Sequence, residues 1–324
     1  MSTVAEKITY LNDTKSAIKN ALVARGVSVS NSDTFRSYAD KIGEIGETVV
    51  VEKEITKYGA GIDVFLGDVD ENGVLNPPST ACSLDLSNVV TISPYCLYFK
   101  FCKMTEIVGV DLSSLVTVET GGMQSVFEGC INIADVDLSS LKNVGEQGLY
   151  DAFGECRQLT NANLCSLQNI IGPYGLCRTF RDCIMLINVN LSSLTSIEDS
   201  GMSSCFAWCS SLTSVDLGSL QSVGAYGLNN AFYDCRNLAS IDLHSLATVG
   251  DSGLSYMFQM CYSLESISFD SLTTIQTNSL YNMFYGCTRL SEIHFRADMQ
   301  ETIEATDGYS EKWGASNATV YFDL

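Results

Sequence analysis

Eight phenylalanines, Phe101, Phe127, Phe153, Phe180, Phe206, Phe232, Phe258 and Phe284, recur at intervals of 26 residues, with one interval of 27. A period in that range is the mark of a solenoid, in which each unit buries its apolar face against the next and none is stable alone. It argues against an enzyme built around one closed pocket.

The units start at Asp85, Asp111, Asp137, Asn163, Asn190, Asp216, Asp242, Ser268 and His294. The unit from Asp216 reads DLGSLQSVGAYGLNNAFYDCRNLASI, and its inward set is Leu217, Leu220, Val223, Leu228, Phe232, Cys235, Leu238 and Ile241. At the unit boundary, Ile241 and Leu243 alternate with Ser240, Asp242 and His244, the period of a strand with one buried face. Leu228, Phe232 and Cys235 stand at i, i+4 and i+7, which predicts one face of a short helix. A glycine precedes that helix in most units (Gly122, Gly148, Gly175, Gly201, Gly227 and Gly253, with Ser279 in the last), where a Cβ would obstruct a tight turn. Each unit therefore reads as strand, turn and short helix. The chain becomes an α/β solenoid of about eight 26-residue units with a parallel sheet. At ~4.8 Å between strands the stack is roughly 40 Å long. The extra residue of the fourth unit falls around Gly172-Pro173, in the loop before the helix, where an insertion disturbs packing least.

The chain has 13 cysteines, and Cys130, Cys156, Cys183, Cys209, Cys235, Cys261 and Cys287 each follow a repeat phenylalanine by three residues. That register predicts a column of buried free thiols behaving as small hydrophobes. Metal or redox chemistry usually takes a C-x-x-C pair, and the sequence contains none.

A formal net charge of −20 and a pI near 4.3 speak against nucleic acid and anionic membrane surfaces as partners. MSTVAEKITY lacks the apolar core of a signal peptide, and no apolar run approaches the ~18–20 residues of a membrane span. The expectation is a soluble protein made in the cytoplasm, without membrane insertion, that leaves by lysis or an unconventional route if it is secreted or acts at a cell surface.

The stretches AFYDCRNLASIDL (231–243) and MFYGCTRLSEIHF (283–295) give the region 82–324 a pattern that resembles the BspA-like class of leucine-rich repeats. That resemblance implies a right-handed solenoid used for adhesion or protein binding, without enzymatic activity or cofactor. Residues 85–294 would form the repeats and 295–324 a C-terminal cap. In the cap, Trp313 plugs the last coil and ATVYF (318–322) is a closing strand. Residues 49–84 read as linker and N-terminal cap, with a hairpin at 61–78. Asp68, Asp70, Asn72 and Gly73 match the opening of an EF-hand loop. Ser79 stands where the bidentate Glu belongs, so a polar turn is the better reading and Asp68, Asp70 and Asn72 are a weak metal candidate.

Residues 1–48 carry two helical patterns. One is capped at Asn12 or Asp13 and ends at Gly26; the other opens near Ser32-Asp33. YLNDTKSAIKNA and SDTFRSYADKI, within 7–45, resemble a leader segment of phage and prophage tail-associated structural proteins. The resemblance implies an attachment or oligomerisation module that engages other virion proteins or itself, with the solenoid facing outward.

The candidate binding residues are the outward column at the unit starts, Asp85, Asp111, Asp137, Asn163, Asn190, Asp216 and Asp242, together with His244. This small, polar, acidic strip reads either as a solvated face or as a site for a polyhydroxylated ligand, a cell-surface glycan, with a protein as the other partner class. Tyr226, Tyr256 and Tyr281 read either as a second contact surface or as ordinary partly buried residues of the turn-helix region. Only two histidines, His244 and His294, are present, and no G-x-S-x-G, P-loop or metal-ligand cluster appears, so no catalytic residue is assigned.

Overall fold

A computed structural model describes residues 53–55, 82–87, 89–276 and 278–324. The helical module expected at 1–48, the hairpin at 61–78 and the Asp68, Asp70 and Asn72 turn lie outside the described residues. The repeats form a parallel-sheet solenoid of about nine turns. One ribbon of strands runs Cys82–Asp85, Ile107–Asp111, Asp135–Asp137, Asn161–Asn163, Asn188–Asn190 and Ser214–Asp216. It continues through a bridge between Asp216 and Asp242. Ser266–Phe269, Glu292–Phe295 and Thr319–Phe322 then pair in parallel at the C-terminal end.

Most coils carry a second strand of two residues, stacked in two parallel ribbons of their own, one containing Asn143–Val144 and ending at Asn169–Ile170, the other starting at Ser196–Ile197 and containing Ser222–Val223. Lys53–Ile55 pairs in parallel with Val89–Ile92, so part of the stretch read as linker adds a strand to the first of these ribbons.

The expected helix is not there. Leu228, Phe232 and Cys235 sit instead in a run of consecutive turns. The amides of Asn229, Ala231 and Tyr233 donate three residues back, to the carbonyls of Tyr226, Leu228 and Asn230, at 3.1, 3.0 and 3.1 Å. The intervening amides of Leu228, Asn230 and Phe232 donate to Gly253, Ser255 and Met257 in the next coil, at 2.8, 3.1 and 2.9 Å. Every second N–H thus leaves its own coil, which an α-helix does not allow. The geometry puts one residue in four in the left-handed region: Tyr226, Asn230 and Asp234 have φ of 56, 55 and 57°. We call this surface the turn ribbon.

The interior is one continuous core. The eight phenylalanine rings are fully buried and stack coil upon coil, with centroids 5.4 to 6.0 Å apart. Of the inward set read for the unit from Asp216, only Ile241 is partly exposed; it lies where the strand gives way to the single bridge. The cysteine column is buried as expected, but its members are more than small hydrophobes. Each thiol donates to the carbonyl of a phenylalanine in the preceding coil, as Cys183 does to Phe153 at 3.1 Å and Cys235 to Phe206 at 3.1 Å.

The glycine column meets the predicted obstruction. A Cβ on Gly227 would lie 2.6 Å from Val223 Cγ1, and one on Gly175 would lie 2.4 Å from Ile170 Cγ2. Ser279, buried in the same place, donates its hydroxyl to the Gly250 carbonyl at 2.8 Å. The extra residue falls where expected. Register is 26 residues at Val144↔Ile170, and Gly172, at φ 85°, opens the longer turn that follows.

At the C-terminal end Trp313 is buried against Phe284 and Phe295, with centroids at 6.5 and 5.7 Å. Its carbonyl accepts the Phe284 amide at 3.0 Å. One residue therefore ends both the phenylalanine stack and the backbone ladder of the turn ribbon, while the strand ladder closes at Thr319–Phe322.

Candidate functional site

The strand face is built by period-two alternation. In Asp135–Asp137, Asn161–Asn163, Asn188–Asn190 and Ser214–Asp216 the middle residue is buried and its neighbours are exposed. Asp111, Asp137, Asn163, Asn190, Asp216, Asp242 and His244 are all exposed on this face, and Asp85 pairs with Asp111 in register. Two open, shallow depressions lie along it. One is bordered by Asn188, Asn190, Ser214, Asp216, Ser240 and Asp242 over a floor of Val189, Val215 and Ile241. The other is bordered by Ser83, Gly109, Asp111, Ser113, Asp135 and Asp137.

The unit-start column also has a local structural task. One side-chain oxygen of Asp111, Asp137, Asn163, Asn190, Asp216 and Asp242 accepts the amide two residues on, at 2.9 to 3.2 Å. This Asx turn bends the chain out of the strand. Because it needs a single acceptor oxygen, Asp and Asn interchange along the column. The second carboxylate oxygen, or the amide nitrogen, has no part in this bond. Bonding up the stack occurs to one side of the column, where Asn161 donates to Asp135 at 3.3 Å.

Asp242 is the most constrained member. The His244 backbone amide donates to its Oδ1 at 3.0 Å, and the His244 ring Nδ1 lies 2.8 Å from the same atom, so the carboxyl is held below the usual carboxylate range. His294 is engaged separately, 2.9 Å from Asp323 and stacked on Tyr321 at 4.7 Å. The two histidines therefore do not converge on one site. Among the described residues no group of three or more His, Cys, Asp or Glu is placed to hold a metal ion. No helix among them is long and apolar enough to cross a membrane.

The turn ribbon carries what the strand face lacks. Tyr226 and Tyr281 are exposed, and Tyr256 meets Tyr281 edge-on at 5.4 Å. Sequence reasoning singled out those three tyrosines but not their neighbours. Trp208 packs edge-on against Tyr233 at 5.2 Å, and the Arg178 guanidinium lies 6.0 Å from the Tyr150 ring centroid. Burial pushes the Asp151 carboxyl up while Arg181, at 3.5 Å, opposes it. The missed signal was the four-residue spacing of outward positions, which becomes visible only once the segment is known to be turns.

In comparisons with known proteins, the family described as BspA type leucine rich repeat region matches residues 82–202 and 177–306, in six copies. No curated protein matches the chain. Similar solved structures include a leucine-rich repeat protein from Eubacterium ventriosum (14% identity, TM-score 0.28, 66% of this chain and 74% of that one). A leucine rich cell surface protein from Faecalibacterium prausnitzii is another (12% identity, TM-score 0.18, 75% and 88%). A chain of the Toll–Spatzle complex of Drosophila matches at 14% identity and TM-score 0.31, over 73% of this chain. This chain spans about a third of that one, 34% of its length.

Proposed function

The chain belongs to the BspA-type leucine-rich repeat family, and on that premise we propose that it is a non-enzymatic binding protein whose strand face recognises a component of a bacterial surface. One observation carries this reading. Over three consecutive coils the outward strand positions, Asn188 and Asn190, Ser214 and Asp216, Ser240 and Asp242, are small and polar above an apolar floor. An open strip of that kind suits an extended, polyhydroxylated ligand lying along the stack better than a small molecule, which a concave and mostly apolar pocket would hold. The finer reading is a phage or prophage tail-associated protein. Residues 1–48 would attach it to other virion proteins or to itself, and the solenoid would meet the surface glycan. Its support is the resemblance of 7–45 to tail-protein leader segments.

Family membership favours a second reading equally: a BspA-like adhesin or scaffold that binds a protein partner. Binding of the purified chain to whole bacterial cells, before and after removal of surface polysaccharide, separates the two. Loss of binding on stripping, and in a Ser214→Arg variant that fills the depression, is the expected result. Undiminished binding to stripped cells sinks the glycan and leaves the protein partner. Tail, baseplate or lysis genes beside the coding sequence would support the virion role, and an isolated locus would count against it.

A further inference from the structure

We propose that the strand face recognises N-acetylated sugars, and that two adjacent coils carrying Asn161, Asn163, Asn188 and Asn190 form the subsite for the acetamido group. This deepens the strand-face reading above and rests on it.

The first support is an atom that the fold leaves undetermined. In the Asx turns, Asn163 accepts the Cys165 amide at 3.2 Å and Asn190 the Ser192 amide at 2.9 Å. Only the oxygen of a carboxamide can accept an N–H, so each turn fixes which way its Asn faces. The outward atoms are therefore the two Nδ2 groups. Both residues are exposed, and neither nitrogen has a hydrogen-bond partner among the described residues. Asp137 and Asp216 make the same turn with one oxygen and leave the other free. Asp137 pairs with Asn163, Asn163 with Asn190 and Asn190 with Asp216. At ~4.8 Å between strands, the column presents acceptor, donor, donor and acceptor in succession. Asp at 163 and 190 would satisfy the turns equally, so folding does not require the donors. Among the described coils only these two carry a carboxamide at both outward strand positions.

The second support is the chemistry of what two adjacent donors select. A hydroxyl both donates and accepts, so an Asp column would serve a purely hydroxylated chain as well. Side-by-side N–H donors favour a group with a bare acceptor oxygen. That oxygen must be uncharged, because the carboxylates of Asp137 and Asp216 stand one coil to either side and repel an anion. An amide carbonyl meets both conditions, and its own N–H can donate to the free carboxylate oxygen in the adjoining coil.

The third support is shape. The buried residue between the outward pair is Val136, Val189 and Val215 in neighbouring coils, but Ala162 between Asn161 and Asn163. The floor there lacks two methyl groups. An acetyl methyl finds room at that point, against apolar neighbours and beside the donors.

The test is isothermal titration of the full chain with N-acetylchitohexaose and with cellohexaose, which share a linkage and differ in acetamido against hydroxyl. The acetylated sugar should bind at least about tenfold more tightly. Replacing both asparagines, Asn163→Asp with Asn190→Asp, keeps the turns and converts the outward donors to acceptors. Ala162→Val restores the floor of the adjacent coils without adding charge. Each should weaken binding of the acetylated sugar by about tenfold or more with the circular dichroism spectrum unchanged. No binding of N-acetylchitohexaose, equal binding of the two sugars, or full affinity in either variant overturns the proposal. Whole-cell binding separates it from the reading it rests on. Binding abolished by Ser214→Arg but kept by the double Asn variant refutes the acetamido subsite and leaves the strand face standing; binding untouched by Ser214→Arg sinks both.

Discussion

The thiol of Cys209 lies 3.0 Å from the carbonyl oxygen of Phe180, one coil back, and donates to it. The same carbonyl accepts the Cys183 amide at 3.2 Å. Each phenylalanine carbonyl from Phe101 to Phe258 thus serves two partners, the backbone of its own coil and the thiol of the next. A Cys209→Ala variant removes that link and leaves a small void beside the ring column, while the carbonyl keeps its amide partner. The expected loss is about 1–2 kcal/mol, read from urea unfolding; a loss indistinguishable from zero would mean the thiols only fill space.

The thiols also set an alkaline limit. Burial pushes Cys130 and Cys287 from 9.0 up to about 12 and raises Cys209 and Cys235 well above 9.0. A raised folded pKa favours the protonated folded state. Its stabilising contribution is complete below the unfolded pKa of 9.0 and fades as pH climbs towards the folded value. Stability should therefore fall between pH 9 and about 12, and less steeply once Cys235 is replaced by alanine. Denaturant midpoints across that range check it; an unchanged slope in the variant would refute the assignment.

Phe206 sits between Phe180 and Phe232 at 5.7 and 5.4 Å, whereas Phe284 has Trp313 on one side. Phe206→Ala should cost ~3–5 kcal/mol and weaken the coils on both sides. Phe284→Ala should loosen chiefly the cap, since coupling in a solenoid runs between nearest neighbours. Hydrogen exchange by peptide segment distinguishes them. Equal loss of protection along the whole repeat region from both variants would contradict the coupling.

Asp216 holds its turn through one oxygen, accepting the Gly218 amide at 3.2 Å. Asp216→Asn keeps an acceptor and should leave the melting temperature nearly unchanged, as the natural Asn163 and Asn190 do in their coils. Asp216→Ala should lose about 1 kcal/mol. A melting temperature equally lowered by both variants would point to the charge and not the turn.

Much of this was legible in the residues. The phenylalanine and cysteine registers announced the stack, the glycine column its tight turns, Gly172-Pro173 the insertion and Trp313 the cap. Each of those readings depends on side-chain volume or backbone freedom repeating in step, which sequence records directly. The candidate strip was legible as polar, but not the division of its oxygens between turn and solvent. Asp and Asn look like ligands on paper whether or not the next amide occupies one of them.

The spacing of Leu228, Phe232 and Cys235 fits an α-helix as well as it fits consecutive four-residue turns, so local pattern could not choose between them. What chose was the next coil. Carbonyls 25 residues further on, such as Gly253 for Leu228, take every second amide, and only stacking brings them within reach. The amino-acid order by itself determined that this chain repeats and which atoms face inward. Tertiary structure alone decided that the turn ribbon would be turns, and with it which aromatics stand on strained backbone in the open, because the hydrogen bonds that settle the matter join residues of different coils.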